Sequence, residues 1–403
     1  MTISSAVVSA PVFDLYTRIL SEGTNVSLIA ELAFLLAKSG HCRTKGANCA
    51  DVASTGGPSS LATLLCPLHL IDAGLDVPKI GVVGRPAGGI DVLGTVPNYK
   101  TSLSKREFER TLKQAHYAHV VADETWAPAD AALFRLRQQS GTQAVPALAI
   151  ASLLAKKVAA GVRLAGLEAR IARFGNFGSQ LGQARENSEI YCGVALELGL
   201  SPVVVITDAT VPYQPYIGRG EALTAYWMVV TGEVRDPWLK THAEMCEEIA
   251  SIVTAQAPSV KLVSRKNGGS GMLASTEGLL HAQGSSIGNL QRRVESVAEE
   301  KRRKIYSKSE GFVTYDLSSI RRIVIERNAT AATRSDGHVA RYPDQVGVRL
   351  LCPPGLRVRR GEAILEIRSN DNDHVVGEFE SKAFTVGAVP SAVPNQILEV
   401  VRP

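Results

Sequence analysis

Short apolar runs alternate with helix-length segments through most of the chain, and this alternation constrains the fold more than any other feature. The runs are 79–83 (KIGVV), 118–122 (AHVVA), 164–171 and 202–208 (PVVVITD). Before, between and after them lie segments with helical apolar spacing: Leu61–Ala73, Ala147–Ala160 behind Pro146, Ser179–Leu198 stopped by Gly199, Glu221–Val230, Pro237–Ala255 and Met272–Gln283. Short strands alternating with helices of this length form a parallel sheet covered by helices.

The two ends differ from this pattern. Asp14–Leu20 is amphipathic, and Ser27 is placed to cap a second helical run through Lys38. A polar loop, SGHCRTKGANCAD, follows. From about Lys304 onward, Val and Ile alternate with polar residues in FVTYDL, RRIVIE, VGVRLL and AILEIRS, divided by the turns PPG and SNDND. That spacing predicts a β-rich terminal unit. The charge-dense stretch Gln291–Lys304 reads as the solvated face of a helix or linker.

Composition excludes several classes of function. At 403 residues the chain is long enough for two or three domains. Its net charge of +5 is spread along the length, without the clustered basic footprint of a nucleic-acid binder. No apolar run approaches the ~18 residues of a membrane helix. The first twenty residues lack a basic segment followed by an apolar one, and six cysteines are scattered without a pairing pattern, so a cytoplasmic protein with reduced thiols is expected. His41, Cys42 and Cys49 share a loop, but six residues between the cysteines do not suit structural zinc, and no metal is expected. No Gly-x-Gly-x-x-Gly follows a strand, which argues against a dinucleotide cofactor. His69 reads as a core histidine, while His116 and His119 flank a strand.

The chemical signal is a glycine turn, STGGPSS (54–60), just before a helix. Adjacent glycines let backbone N–H groups approach an anion, and the helix dipole favours negative charge there. A second glycine loop, GRPAGGID, follows the run 79–83. Arg137 lies fifteen residues before Ser152, which opens Ser152-x-x-x-Lys156-Lys157. Near the end stands VGVRLLCPPGLRVRRGEAILEI (346–367). In this order the features resemble the thymidine/pyrimidine nucleoside phosphorylase family, whose core is similar to that of anthranilate phosphoribosyltransferase.

The resemblance implies an α/β fold with a small all-helical lobe (1–38 and 129–160), a larger α/β lobe with a mostly parallel sheet (39–128 and 161–303) and a C-terminal α+β domain (304–403). It implies cleavage of a pyrimidine nucleoside by inorganic phosphate, giving free base and pentose 1-phosphate, with no cofactor beyond phosphate as co-substrate. The partners implied are small molecules, with a possible homodimer. Arg137, Ser152 and Lys156 take the base-binding positions, with Arg137 and Lys156 catalytic, and Phe134 takes the family's aromatic position. Ser54, Thr55, Gly56, Gly57 and Thr63 take phosphate-binding positions.

The phosphate half departs from the family pattern. Val52 and Ala53 replace a Lys and a His, Ser60 and Leu61 replace an Asp-Lys pair, and Val83 replaces a Ser. Arg85 and Arg173 are basic residues placed to compensate. These replacements keep open a nucleoside hydrolase, a transferase with another acceptor, and a non-catalytic nucleoside- or nucleotide-binding protein.

Overall fold

The computed structural model describes residues 8–55, 57–173, 175–257, 271–330, 341–369, 372–390 and 397–403. Thirteen strands occur among them: β1 (Ala50–Ser54), β2 (Val77–Gly81), β3 (Tyr117–Val121), β4 (Leu164–Ile171), β5 (Ser201–Asp208), β6 (Tyr216–Ile217), β7 (Arg302–Tyr306), β8 (Gly311–Tyr315), β9 (Val346–Leu350), β10 (Arg357–Val358), β11 (Ala363–Ser369), β12 (Phe384–Gly387) and β13 (Ile397–Val401). The protein is mixed α/β with a mostly parallel central sheet.

That sheet has the order β1-β4-β5-β13, parallel except for the last strand. The parallel pair β2-β3 continues it, because Cys49 bridges to Asp76 and the Ala50 amide donates to the Asp76 carbonyl at 2.9 Å. β4 is buried along its whole length, as expected of a strand covered on both faces. One apolar cluster packs the helices Ala10–Glu22, Val26–Lys38, Pro128–Gln139, Pro146–Ala160 and Leu181–Glu197 against one face. A second packs Ala62–Asp72, Arg219–Thr231 and Pro237–Thr254 against the other.

The C-terminal region builds two antiparallel sheets, β6-β9-β11-β7 and β10-β8-β12, around a third apolar cluster that includes Ile217 and Trp238. It is fastened to the central unit by a buried ionic knot. Arg368, fully buried, donates to Glu221 at 2.7 and 2.8 Å, to Glu300 at 2.8 Å and to Asp344 at 2.6 Å. Removing one member of such a knot leaves uncompensated buried charge.

Local expectations are corrected in four places. RRIVIE is not a strand: it lies in the helix Leu317–Thr330, where Leu317, Ile320, Ile323 and Val324 form one buried face. The helix Val26–Lys38 is capped by Asn25, whose side chain accepts from the Leu28 amide, and not by Ser27. The segment 50–54 is a strand rather than the end of a loop. The last strand, β13, leaves the terminal unit and pairs with β5 in the central sheet.

Candidate active site

A cavity of about 370 Å³ lies where the carboxyl ends of β1, β2 and β4 face the helix pair Pro128–Gln139 and Pro146–Ala160. Ser54, Thr55, Gly57 and Thr63 line it from one side, and Phe134, Arg137, Ser152 and Lys156 from the other. Gly56 lies outside the described residues.

On the helical side, the four-residue spacing places Ser152 and Lys156 on one face of their helix. The Lys156 ammonium donates to the Ser152 hydroxyl at 2.8 Å, to the Ser152 carbonyl at 2.5 Å and to Asp130 at 2.7 Å. Arg137 donates to the carbonyls of Leu148 at 3.2 Å and Gln143 at 2.8 Å, and its Nε is buried with no acceptor. A guanidinium has five N–H donors, so this grip leaves three uncommitted. Burial lowers both cations, Arg137 to about 10. A lysine pair on a helix flank is ordinarily solvated, yet Lys156 and Lys157 are only 8% and 2% exposed.

The glycine-turn side is wired differently from the expectation. The Thr55 amide donates to the Glu168 carbonyl at 3.2 Å and is therefore not free for an anion. The Leu61 amide at the following helix start donates to His242 Nε2 at 2.8 Å, and the Ala62 amide to Ser60 at 3.1 Å. The hydroxyls remain useful. Thr55 accepts from the Arg170 amide at 3.0 Å and Thr63 from the Gly89 amide at 3.1 Å. An accepting hydroxyl keeps its own proton to donate. Gly57 has φ +150°, a conformation that favours glycine.

The floor of the cavity holds a cluster absent from the sequence expectation. Asp51, at 5% exposure, sits between Lys79 of β2 and Lys157 of the helix Pro146–Ala160, bonded to both ammonium groups. Lys79 also donates to the Val52 carbonyl at 2.7 Å. A cation from the neighbouring strand thus stands beside the position where the resemblance leads one to expect a lysine. Burial pushes the Asp51 carboxyl up, but the Lys157 and Lys79 ammonium groups outweigh it and hold it at about 2. Burial pushes Lys157 down to about 8, against the opposing pull of Asp51. The available signal was one charged residue, Lys79, inside an otherwise apolar strand.

His119 also lines the cavity from β3. Burial, then Lys79, pushes it down to about 3, so it is neutral at physiological pH. His41 packs edge-on to Trp126, and Cys42 donates to the Val158 carbonyl, so the two residues are engaged separately.

The titration of Lys157 has a measurable consequence. As pH rises through about 8, the ammonium loses its proton and the cavity loses one positive charge. An anion held there weakens by roughly 10–100-fold, the worth of a charge-assisted partner. Phosphate affinity measured by calorimetry from pH 7 to 9.5 is expected to fall above 8; a flat profile contradicts this.

No protein-family model matches the chain. It is similar to the thymidine phosphorylase of Colwellia psychrerythraea, 24% identical over 336 residues that span 80% of this chain and 74% of that protein. The human thymidine phosphorylase is 26% identical over 383 residues, covering 88% of this chain and 76% of its own. That of Agrobacterium fabrum is 31% identical over 172 residues, 42% of this chain and 39% of its own. Among solved structures, the anthranilate phosphoribosyltransferase from Saccharomyces cerevisiae in complex with PRPP and Mg matches with a TM-score of 0.46 at 12% identity, over 71% of this chain and 84% of that one.

Proposed function

We propose that this chain, a divergent relative of the thymidine and pyrimidine-nucleoside phosphorylases, is a pentosyltransferase that cleaves the N-glycosidic bond of a pyrimidine nucleoside with phosphate. One observation carries the reading: the Arg137–Ser152–Lys156 cluster and the Ser54–Thr55–Gly57–Thr63 turn line the same cavity.

Breaking the bond sends an electron pair into the departing pyrimidine and leaves positive character on the anomeric carbon. The uncommitted donors of Arg137, with the Lys156 ammonium, stabilise the negative ring. Ser152 holds Lys156 in place and orients the base. Phe134 offers the ring an apolar face. The phosphate rests on the hydroxyls of Ser54, Thr55 and Thr63 and near Gly57, over the Lys79 and Lys157 charges. A phosphate oxygen attacks the anomeric carbon, and the proton it gives up ends on the departing ring nitrogen. Neutral His119 supplies no acid at physiological pH.

The test is a panel of pyrimidine ribo- and deoxyribonucleosides with and without phosphate. Free base with pentose 1-phosphate, formed only when phosphate is present, is the expected result. Free pentose at the same rate without phosphate moves the assignment to a hydrolase, a reading that Val52 and Ala53 leave open. Binding without turnover moves it to a nucleoside-binding protein.

A further inference from the structure

The cavity carries more positive charge than the reaction just described uses. Arg85, Arg173 and Arg321 line it as well, and among the described residues their guanidinium groups have no hydrogen-bond or ion-pair partner. Asp51 is the one carboxylate among the described lining residues, and two lysines already hold it. Asp91, the carboxylate that acts on Arg85, is engaged by Arg219 at 3.0 Å and by the amides of Gly84 and Arg85 at 2.9 and 3.0 Å.

Two of the free groups come from separate units. Arg85 follows β2, and Arg321 sits on the helix Leu317–Thr330 of the C-terminal region. Both are half-buried. Arg321 feels Arg85: burial and then the Arg85 charge push it down to about 10. Arg85 also opposes the charge on Arg137 and Lys156. Arg137 Nε is buried without an acceptor. Like charges lining one cavity repel one another and are stabilised when an anion sits among them.

We propose that Arg85 and Arg321 form a second anion subsite, and that the substrate is an anionic nucleoside bearing its own phosphate or carboxylate besides the phosphate it reacts with. This rests on the glycosyl-transfer reading. The covalent step is unchanged: the bond from anomeric carbon to ring nitrogen breaks, a phosphate oxygen takes its place, and the phosphate proton ends on the ring nitrogen. The extra anion stays intact. On the sugar it is a 5′-phosphate, and the product is a pentose 1,5-bisphosphate. On the ring it is a carboxylate, and the product is a carboxylated base.

The experiment compares uridine, uridine 5′-monophosphate and orotidine, by calorimetric binding and by phosphate-dependent turnover, in wild type, Arg321→Gln and Arg85→Gln. At least one anionic compound is expected to exceed uridine by about 10–100-fold in both readouts, the worth of a charge-assisted contact. Each substitution should collapse that preference to within about threefold. A winning monophosphate places the anion on the sugar, and a winning orotidine places it on the base. Uridine cleaved with phosphate as well as both anionic compounds overturns the subsite and leaves glycosyl transfer standing. Tight anionic binding that both substitutions abolish, without turnover of any compound, keeps the subsite and removes glycosyl transfer. A preference that neither substitution alters also overturns the subsite.

Discussion

Replacing Arg137 or Lys156 by alanine is expected to lower turnover by roughly two to four orders of magnitude, on the order of 3–5 kcal/mol of transition-state stabilisation. Both cations are buried in the cavity wall, where a donor aimed at developing charge acts in a low dielectric. The loss should fall mainly on kcat, because the base becomes negative only as the bond breaks. Arg137 has a structural task too, since it holds the Gln143 and Leu148 carbonyls. Lys156→Met keeps most of the side chain's bulk, and substrate affinity in that variant separates a lost charge from a loosened wall. Near wild-type kcat in both alanine variants contradicts the assignment.

The second large effect concerns stability. Asp51→Asn leaves the Lys79 and Lys157 ammonium groups buried with no carboxylate between them, which costs about 3–5 kcal/mol. The urea midpoint at pH 7 should fall accordingly. The double variant Asp51→Asn, Lys157→Met should lose less than the sum of the single variants, because removing one cation relieves the repulsion that the first change creates. The native carboxyl sits at about 2, below its ordinary 3.8. Its stabilising contribution is therefore present above the ordinary value and fades as pH falls between those two. A loss under about 1 kcal/mol shows that the cluster is solvated and the floor of the cavity is misdescribed.

The sequence made β5 readable because PVVVITD is almost wholly apolar, while β4 stays buried only because its two charges, Glu168 and Arg170, pair with each other. RRIVIE misled because six residues with apolar positions 323, 324 and 325 fit both a strand and one face of a helix. Only the buried Leu317 and Ile320 upstream decide the period. β1 was hidden by Asp51, a charge that a buried strand tolerates only with partners from elsewhere. That Ser152 and Lys156 share one helix face was legible because a four-residue helical spacing survives folding unchanged. Lys79, Asp130 and Arg321 were not, because their roles arise from chain segments distant in sequence.

In the proposed reaction one cavity grips both reactants. A crystal soaked with a pyrimidine and sulfate tests this most directly. The pyrimidine is expected against Arg137, Ser152 and Lys156, and sulfate on the hydroxyls of Ser54, Thr55 and Thr63, in the same cavity. A pyrimidine bound elsewhere, with those six side chains untouched, contradicts it.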